Sequence, residues 1–205
     1  SLASHRRAAA ARAEGRFRRE IIPAYGLAED ETIRPDTTLA KISALPALFP
    51  DGAVHAGNAS QICDGAAAAL IVSPEKARAL GLKPRARIRA MALAGVDPTL
   101  MLHGVMPATE KVLKKAGLTA QDIDLFEVNE AFASVPLAWM KDLRVPHERL
   151  NVNGGAIALG HPLGASGIRI TATLLSELER RDATLGLATM CIGFGMAIAT
   201  VFERV

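Results

Sequence analysis

The chain has 205 residues, half of them hydrophobic and 22% charged, with a net charge of +3, which is ordinary for a soluble globular protein of one or two small domains. Aromatics make up only 4%, so the core must come from Ala, Leu, Ile and Val. No apolar run reaches the roughly 18 residues of a membrane helix, and two distant cysteines, Cys63 and Cys191, exclude a disulfide framework and a Cys-x-x-Cys metal site.

The N-terminus lacks an apolar signal core, and neither end carries a recognised address. Cysteine usage suits a reducing compartment. Basic clusters stand at Arg6-Arg7, Arg16 to Arg19 and Arg85 to Arg89. They read as solvated surface or as attraction for an anionic ligand. Nucleic acid fits poorly, because no binding motif is present and aromatics for stacking are few.

In chain order, Ser4 to Glu14 predicts a helix that Gly15 ends. Phe17 to Pro35 reads as a loop. Thr37 to Ala44 is a short helix stopped by Pro46, and Pro50 to Ser60 is turn-rich. Ser73-Pro74-Glu75 opens a helix that Gly81 ends. Arg85 to Ala92 alternates arginines with apolar residues, hence a strand. Val105, Ala108, Val112, Leu113 and Ala116 share a helical face, with Gly117 as the stop. Leu125 to Val128 is a strand and Glu130 to Asp142 a helix. Ala165 to Arg181 is a helix, and Leu185 to Met190 and Met196 to Phe202 are strands joined by a loop that holds Cys191. The order from Arg85 is β-α-β-α-α-β-β, an α/β layered domain with helices covering a mixed sheet.

Three segments concentrate the chemistry. Asn153 to Gly167 is a glycine-rich loop around His161, with Gly160 and Pro162 fixing the backbone on both sides. It opens a helix, whose N-terminus favours negative charge. A histidine held there suits acyl or proton-transfer chemistry; alone it would read as a hydrogen-bonded structural residue. Asn129-Glu130-Ala131-Phe132 follows one strand, where Asn129 alone reads as a helix cap. Cys191-Ile192-Gly193-Phe194-Gly195 lies between two strands, where Cys191 alone reads as a small buried hydrophobe. Ligands of α/β sheets gather at such strand ends.

Together these segments resemble the asparagine, histidine and second-cysteine loops of the thiolases, which cleave or form 3-ketoacyl-CoA. The likeness extends to Ser4-His5-Arg6-Arg7-Ala8, Ala56 to Ser60 and Asp64 to Ala68. It implies a thiolase-like fold: the C-terminal half of a duplicated α/β fold plus part of a loop domain. Residues 1–59 would end the inserted loop domain, 60–84 would close the N-terminal domain, and 85–205 would be the C-terminal domain. A shortening between Ile22-Pro23 and Arg34 to Thr38 is expected against the family pattern.

The resemblance also implies roles. His161 takes the nucleophile's proton and helps bind a substrate oxyanion. Asn129 holds a catalytic water in the first oxyanion hole. Cys191 moves the proton on the leaving carbon, and the Gly193 N–H serves the second oxyanion hole. Ser60, Ala131 and Phe132 line the pantetheine channel; the competing readings are a turn serine and core packing. Cys63 is assigned to packing. No cofactor is permanently bound. The partners are acyl-CoA and coenzyme A, with a homodimer or homotetramer in the complete enzyme. A bacterial cytoplasm is the expected compartment, or mitochondrion or peroxisome in a eukaryote.

The chain departs from the family in one large respect. The nucleophilic cysteine lies in a Cys-x-Ser context, and neither Cys63-Asp64-Gly65 nor Cys191-Ile192-Gly193 supplies it. Smaller departures are Phe194 and His103 to Pro107. The expected activity is thiolysis of 3-ketoacyl-CoA, in a piece of a longer enzyme. Alternatives are biosynthetic acetoacetyl-CoA formation, or a non-catalytic subunit that binds coenzyme A or an acyl chain or serves assembly.

Overall fold

The computed structural model describes residues 1–205. Its helices are α1 (Leu2–Ala13), α2 (Leu39–Ser43), α3 (Pro74–Ala79), α4 (Val105–Ala116), α5 (Ser134–Leu143), α6 (Ala156–Leu159) and α7 (Ser166–Arg181). Its strands are β1 (Ala86–Gly95), β2 (Leu125–Val128), β3 (Leu185–Ile192) and β4 (Met196–Arg204). They form one mixed sheet in the order β1-β4-β3-β2. Strands β2 and β3 are parallel, whereas β4 runs antiparallel to both β3 and β1. The carboxyl ends of β2 and β3 therefore emerge on the same edge of the sheet.

One face of the sheet packs on α4 and α5. The apolar stripe of α4 buries Val105, Ala108 and Val112 against Leu187, Ala199 and Val201. Each fully buried valine or leucine contributes about 1.5–3 kcal/mol relative to exposure. Trp139 of α5 meets Phe126 edge-on, with ring centroids 5.0 Å apart, and its indole N–H donates to Thr109 Oγ1 at 2.9 Å. The buried indole N–H is thus satisfied inside the core. Gly117 ends α4 with φ of +68°.

The other face carries α7, whose Ile170, Leu174 and Leu178 pack on Leu125, Ala188 and Phe202. Glu177 lies on the same helix, 2% exposed. Burial pushes its carboxyl up, but hydrogen bonds from Arg180, Asn153 and Arg181 win and hold it at about 2. A third cluster packs α1 on α6 through Ala8, Ala11, Ala158 and Leu159. Gly154 makes that approach possible: a Cβ there would stand 2.6 Å from the Ser4 carbonyl oxygen.

Three local expectations change. Helix α5 starts at Ser134, not Glu130, because the backbone of residues 131–133 pairs with residues 58–60 instead. The Ser60 N–H donates to the Ala131 carbonyl at 3.0 Å, and the Ala133 N–H to the Asn58 carbonyl at 2.8 Å. Cys191 belongs to β3, opposite Ala197, so the hairpin turn is shorter than the glycines suggest. In β1 a bulge between Ile88 and Ala90 interrupts the alternation. Ala90 and Ala92 are buried while Ile88 stays exposed. The run Ile62 to Val72 makes no backbone–backbone hydrogen bond, and Asp64 to Ile71 are all exposed.

Candidate active site

The carboxyl end of β2 delivers Asn129. Its N–H donates to the Thr189 carbonyl at 3.0 Å, and the side chain is 1% exposed. The amide nitrogen lies 3.3 Å from His161 Nε2. The Asn129 Oδ1 is buried without a partner, an acceptor left available at the edge of the ring. The structure therefore brings together two of the residues predicted from separate motifs.

The histidine loop is built from several directions. Gly160 adopts φ of +81°, and any side chain there would overlap Cys63 Sγ. The His161 N–H donates to the Gln61 carbonyl at 2.9 Å. The Gln61 side-chain amide donates to the Ile157 carbonyl at 2.8 Å and to Thr32 at 2.9 Å. Asn153 donates to Glu177 at 3.1 Å and accepts from Arg16 at 2.7 Å. Burial lowers the His161 pKa from its ordinary value, and the Arg169 guanidinium adds to that. The ring is therefore neutral, with a lone pair available, at pH 7.

Glu130 clamps this loop rather than opening a helix. Its Oε2 accepts from Ser4 Oγ at 2.7 Å and from the Ile157 N–H at 3.1 Å, and its Oε1 accepts from Asn151 at 3.4 Å. Ser4 Oγ in turn accepts from the Gly155 N–H at 2.9 Å. A Cβ on Gly155 would reach within 2.5 Å of the Glu130 carboxyl carbon. Glu130→Ala strands Ser4 and the Ile157 N–H. It is expected to destabilise the chain by about 1–3 kcal/mol, the cost of unsatisfied buried polar groups, as read by urea denaturation. A midpoint equal to wild type would show that the clamp carries no stability.

Cys191 sits near the carboxyl end of β3, buried, on the same face as Leu187. Burial pushes its thiol up, so it stays protonated at neutral pH and can give a proton. Beyond it Gly193 has open space around its α-carbon. Phe194 is 85% exposed with φ of +65°. Ser60, Ala131 and Phe132 are half-buried and meet as one backbone patch, through the Ser60–Ala131 bond and an Ala59–Phe132 bridge. Cys63 lies against the histidine loop, its thiol pushed up mainly by burial.

Sequence reasoning missed several partners of the site. Ser166 Oγ stands 2.5 Å from His161 Nδ1. Gln61 and Ser4 support the loop from more than 90 positions away. Glu127 is fully buried and pushed up to about 8 by that burial. Arg169 has all three guanidinium nitrogens buried without a hydrogen-bond partner. No short-range spacing signals these contacts.

The fold and site define an α/β protein with Asn129 against His161 at the carboxyl end of β2 and Cys191 near the carboxyl end of the parallel strand β3. Residues 1–75 match the model of the thiolase N-terminal domain and residues 82–204 that of the thiolase C-terminal domain. The chain belongs to the thiolase family. It is 56% identical to a 3-ketoacyl-CoA thiolase of Aeromonas hydrophila and 57% identical to one of Cronobacter sakazakii, in each case over 98% of this chain and 56% of the relative. The crystal structure of the Bacillus anthracis acetyl-CoA acetyltransferase superposes with a TM-score of 0.94, and that of human mitochondrial 3-ketoacyl-CoA thiolase with 0.93. Both are 42% identical and cover all of this chain and 54% of their own. The chain thus spans about half the length of the relatives it matches.

Proposed function

We propose that this chain carries the acid–base machinery of a thiolase that cleaves 3-ketoacyl-CoA to acetyl-CoA and a shortened acyl-CoA. The observation that carries the reading is the contact between His161 Nε2 and the Asn129 amide, beside an unpartnered Asn129 Oδ1.

In this reading a Cys-x-Ser cysteine, which these 205 residues lack, attacks the substrate ketone. His161 takes its proton on Nε2, and the resulting N–H faces the developing oxyanion. Asn129 holds the water that completes this first oxyanion hole. The carbon–carbon bond breaks and acetyl-CoA leaves as an enolate. Cys191 gives that carbon a proton, and the Gly193 N–H binds the enolate oxygen. Coenzyme A then takes the acyl group from the nucleophile. Ser60, Ala131 and Phe132 line the pantetheine arm, which their shared patch suits.

Identity above 55% to 3-ketoacyl-CoA thiolases favours the degradative direction over acetoacetyl-CoA synthesis. Coenzyme A and its thioesters are substrates in this reading, and no permanent cofactor takes part. Homo-oligomers are the expected assembly. No helix is long and apolar enough to cross a membrane, and a bacterial cytoplasm is the compartment this reading carries. We assign 1–59 to the inserted loop domain, 60–84 to the end of the N-terminal domain and 85–205 to the C-terminal domain. All four strands of the sheet lie within the last of these.

The test is thiolysis of a 3-ketoacyl-CoA by this chain and by a longer chain in which a Cys-x-Ser half precedes it. The 205-residue chain alone is expected to be inactive and the longer chain active. Turnover by the chain alone would overturn the division of roles. An inert but folded longer chain would overturn the thiolase reading.

A further inference from the structure

The hydrogen bonds around His161 fix more than its position. Ser166 is fully buried in the first turn of α7. Its hydroxyl donates to the Pro162 carbonyl at 3.0 Å. That proton is spent, so the Ser166 oxygen offers its lone pairs to His161 Nδ1 at 2.5 Å. At the far side of the ring, the Asn129 amide nitrogen, a donor only, faces Nε2 at 3.3 Å.

We infer that Ser166 is a positioning residue that holds His161 in the Nδ1–H tautomer, leaving Nε2 as the proton acceptor throughout the reaction cycle. The inference rests on the acyl-transfer reading for its purpose but not for its geometry. Nδ1–H donates to Ser166 both in the neutral ring and in the imidazolium, so the ring does not turn when Nε2 gains a proton. The serine supports a base that must cycle between both states. Proline at 162 ties the arrangement together: its carbonyl also accepts the Ser166 N–H at 2.9 Å.

The other groups facing the ring are consistent with a neutral resting state. Arg169 follows Ser166 by one turn of α7, and its charge disfavours the imidazolium. Cys63 lies against the loop backbone, its thiol pushed up mainly by burial and so uncharged. Asn129 is uncharged. No carboxylate is bonded to the ring, so the Ser166 oxygen is its one strong acceptor.

Nitrogen-15 NMR of the chain labelled at its histidines tests this directly, with His161→Ala assigning the signal. At neutral pH wild-type His161 is expected to be neutral and protonated on Nδ1. In Ser166→Ala the acceptor is gone, and the proton is expected to move to Nε2, which solvated histidine prefers, with the Asn129 amide turning its unpartnered Oδ1 toward it. Ser166→Thr should restore the Nδ1–H form. Unchanged signals from His5, His55, His103 and His147 report that each variant remains folded. In the longer, nucleophile-bearing chain, Ser166→Ala should lower kcat at least about tenfold with KM for coenzyme A changed less than about twofold. Nε2–H in the wild type would overturn the inference without any variant. An identical tautomer in Ser166→Ala would overturn it as well. If the tautomer follows Ser166 while the longer chain performs no thiolysis, the positioning role stands and the acyl-transfer reading falls.

Discussion

His161→Ala, made in the longer chain that also carries the Cys-x-Ser nucleophile, is expected to lower turnover at least about 10²-fold. That is the usual cost of removing an acid–base group or an oxyanion donor, and the proposed mechanism gives His161 both roles. The same substitution should slow alkylation of the nucleophilic cysteine by iodoacetamide near neutral pH, since the thiolate loses its proton acceptor. Activity within a few-fold of wild type would end the role given to the glycine loop. The pH profile carries a sign that follows from burial. The His161 pKa is lowered by desolvation and then by Arg169. The base form therefore persists below the ordinary value of about 6.5, and the acid limb of activity should fall below that value. The unfolded chain binds this proton more readily than the folded one. The contribution to stability is complete above the unfolded pKa and declines as pH falls below it.

The second large effect separates the two cysteines. Cys191→Ala in the longer chain is expected to abolish exchange of the acetyl-CoA methyl protons with solvent, because the proposed mechanism leaves no other acid–base group beside that carbon. Acylation of the nucleophile by an activated acyl donor should survive in part, since that step uses His161. Cys63→Ser should keep the exchange and cost about 0.5–3 kcal/mol of stability, as expected for a side chain wedged against Gly160. Proton NMR in deuterated buffer reads both variants. Loss of exchange in Cys63→Ser with retention in Cys191→Ala would reverse the assignment.

Much of the fold is legible because local signals agree with tertiary demand. The apolar stripe of α4 and its stop at Gly117 need nothing from the rest of the chain. Strand β2, bounded by polar residues, is equally plain. The early residues of the predicted α5 fail for a physical reason: helix propensity yields to pairing with residues 58–60, some 70 positions upstream. Placing Cys191 in a loop fails similarly, since flanking glycines signal a turn but β4 extends the pairing past it. Of the candidate site, His161, Asn129 and Cys191 stand out in the sequence because glycine and polar residues interrupt apolar runs. Their supports are invisible. Ser4 and Glu130 are 126 positions apart, and no spacing rule connects a hydroxyl on α1 to a carboxylate after β2. Ser166 is only five residues from His161, yet it reads as an ordinary small residue opening a helix.

The run from Ile62 to Val72 has a consequence for handling the molecule. Its amide and carbonyl groups have no backbone partner, and Ile62, Leu70 and Ile71 are 102%, 75% and 74% exposed. Open backbone beside apolar side chains is a template for strand pairing between molecules. Asp64 at one end and Pro74 at the other limit how far such a zipper can extend, in the manner of gatekeeper residues. Between them lie four alanines, a leucine and an isoleucine with no charge among them. Within these 205 residues, this one short ribbon, and not the well-packed sheet, is where a further strand has room to pair.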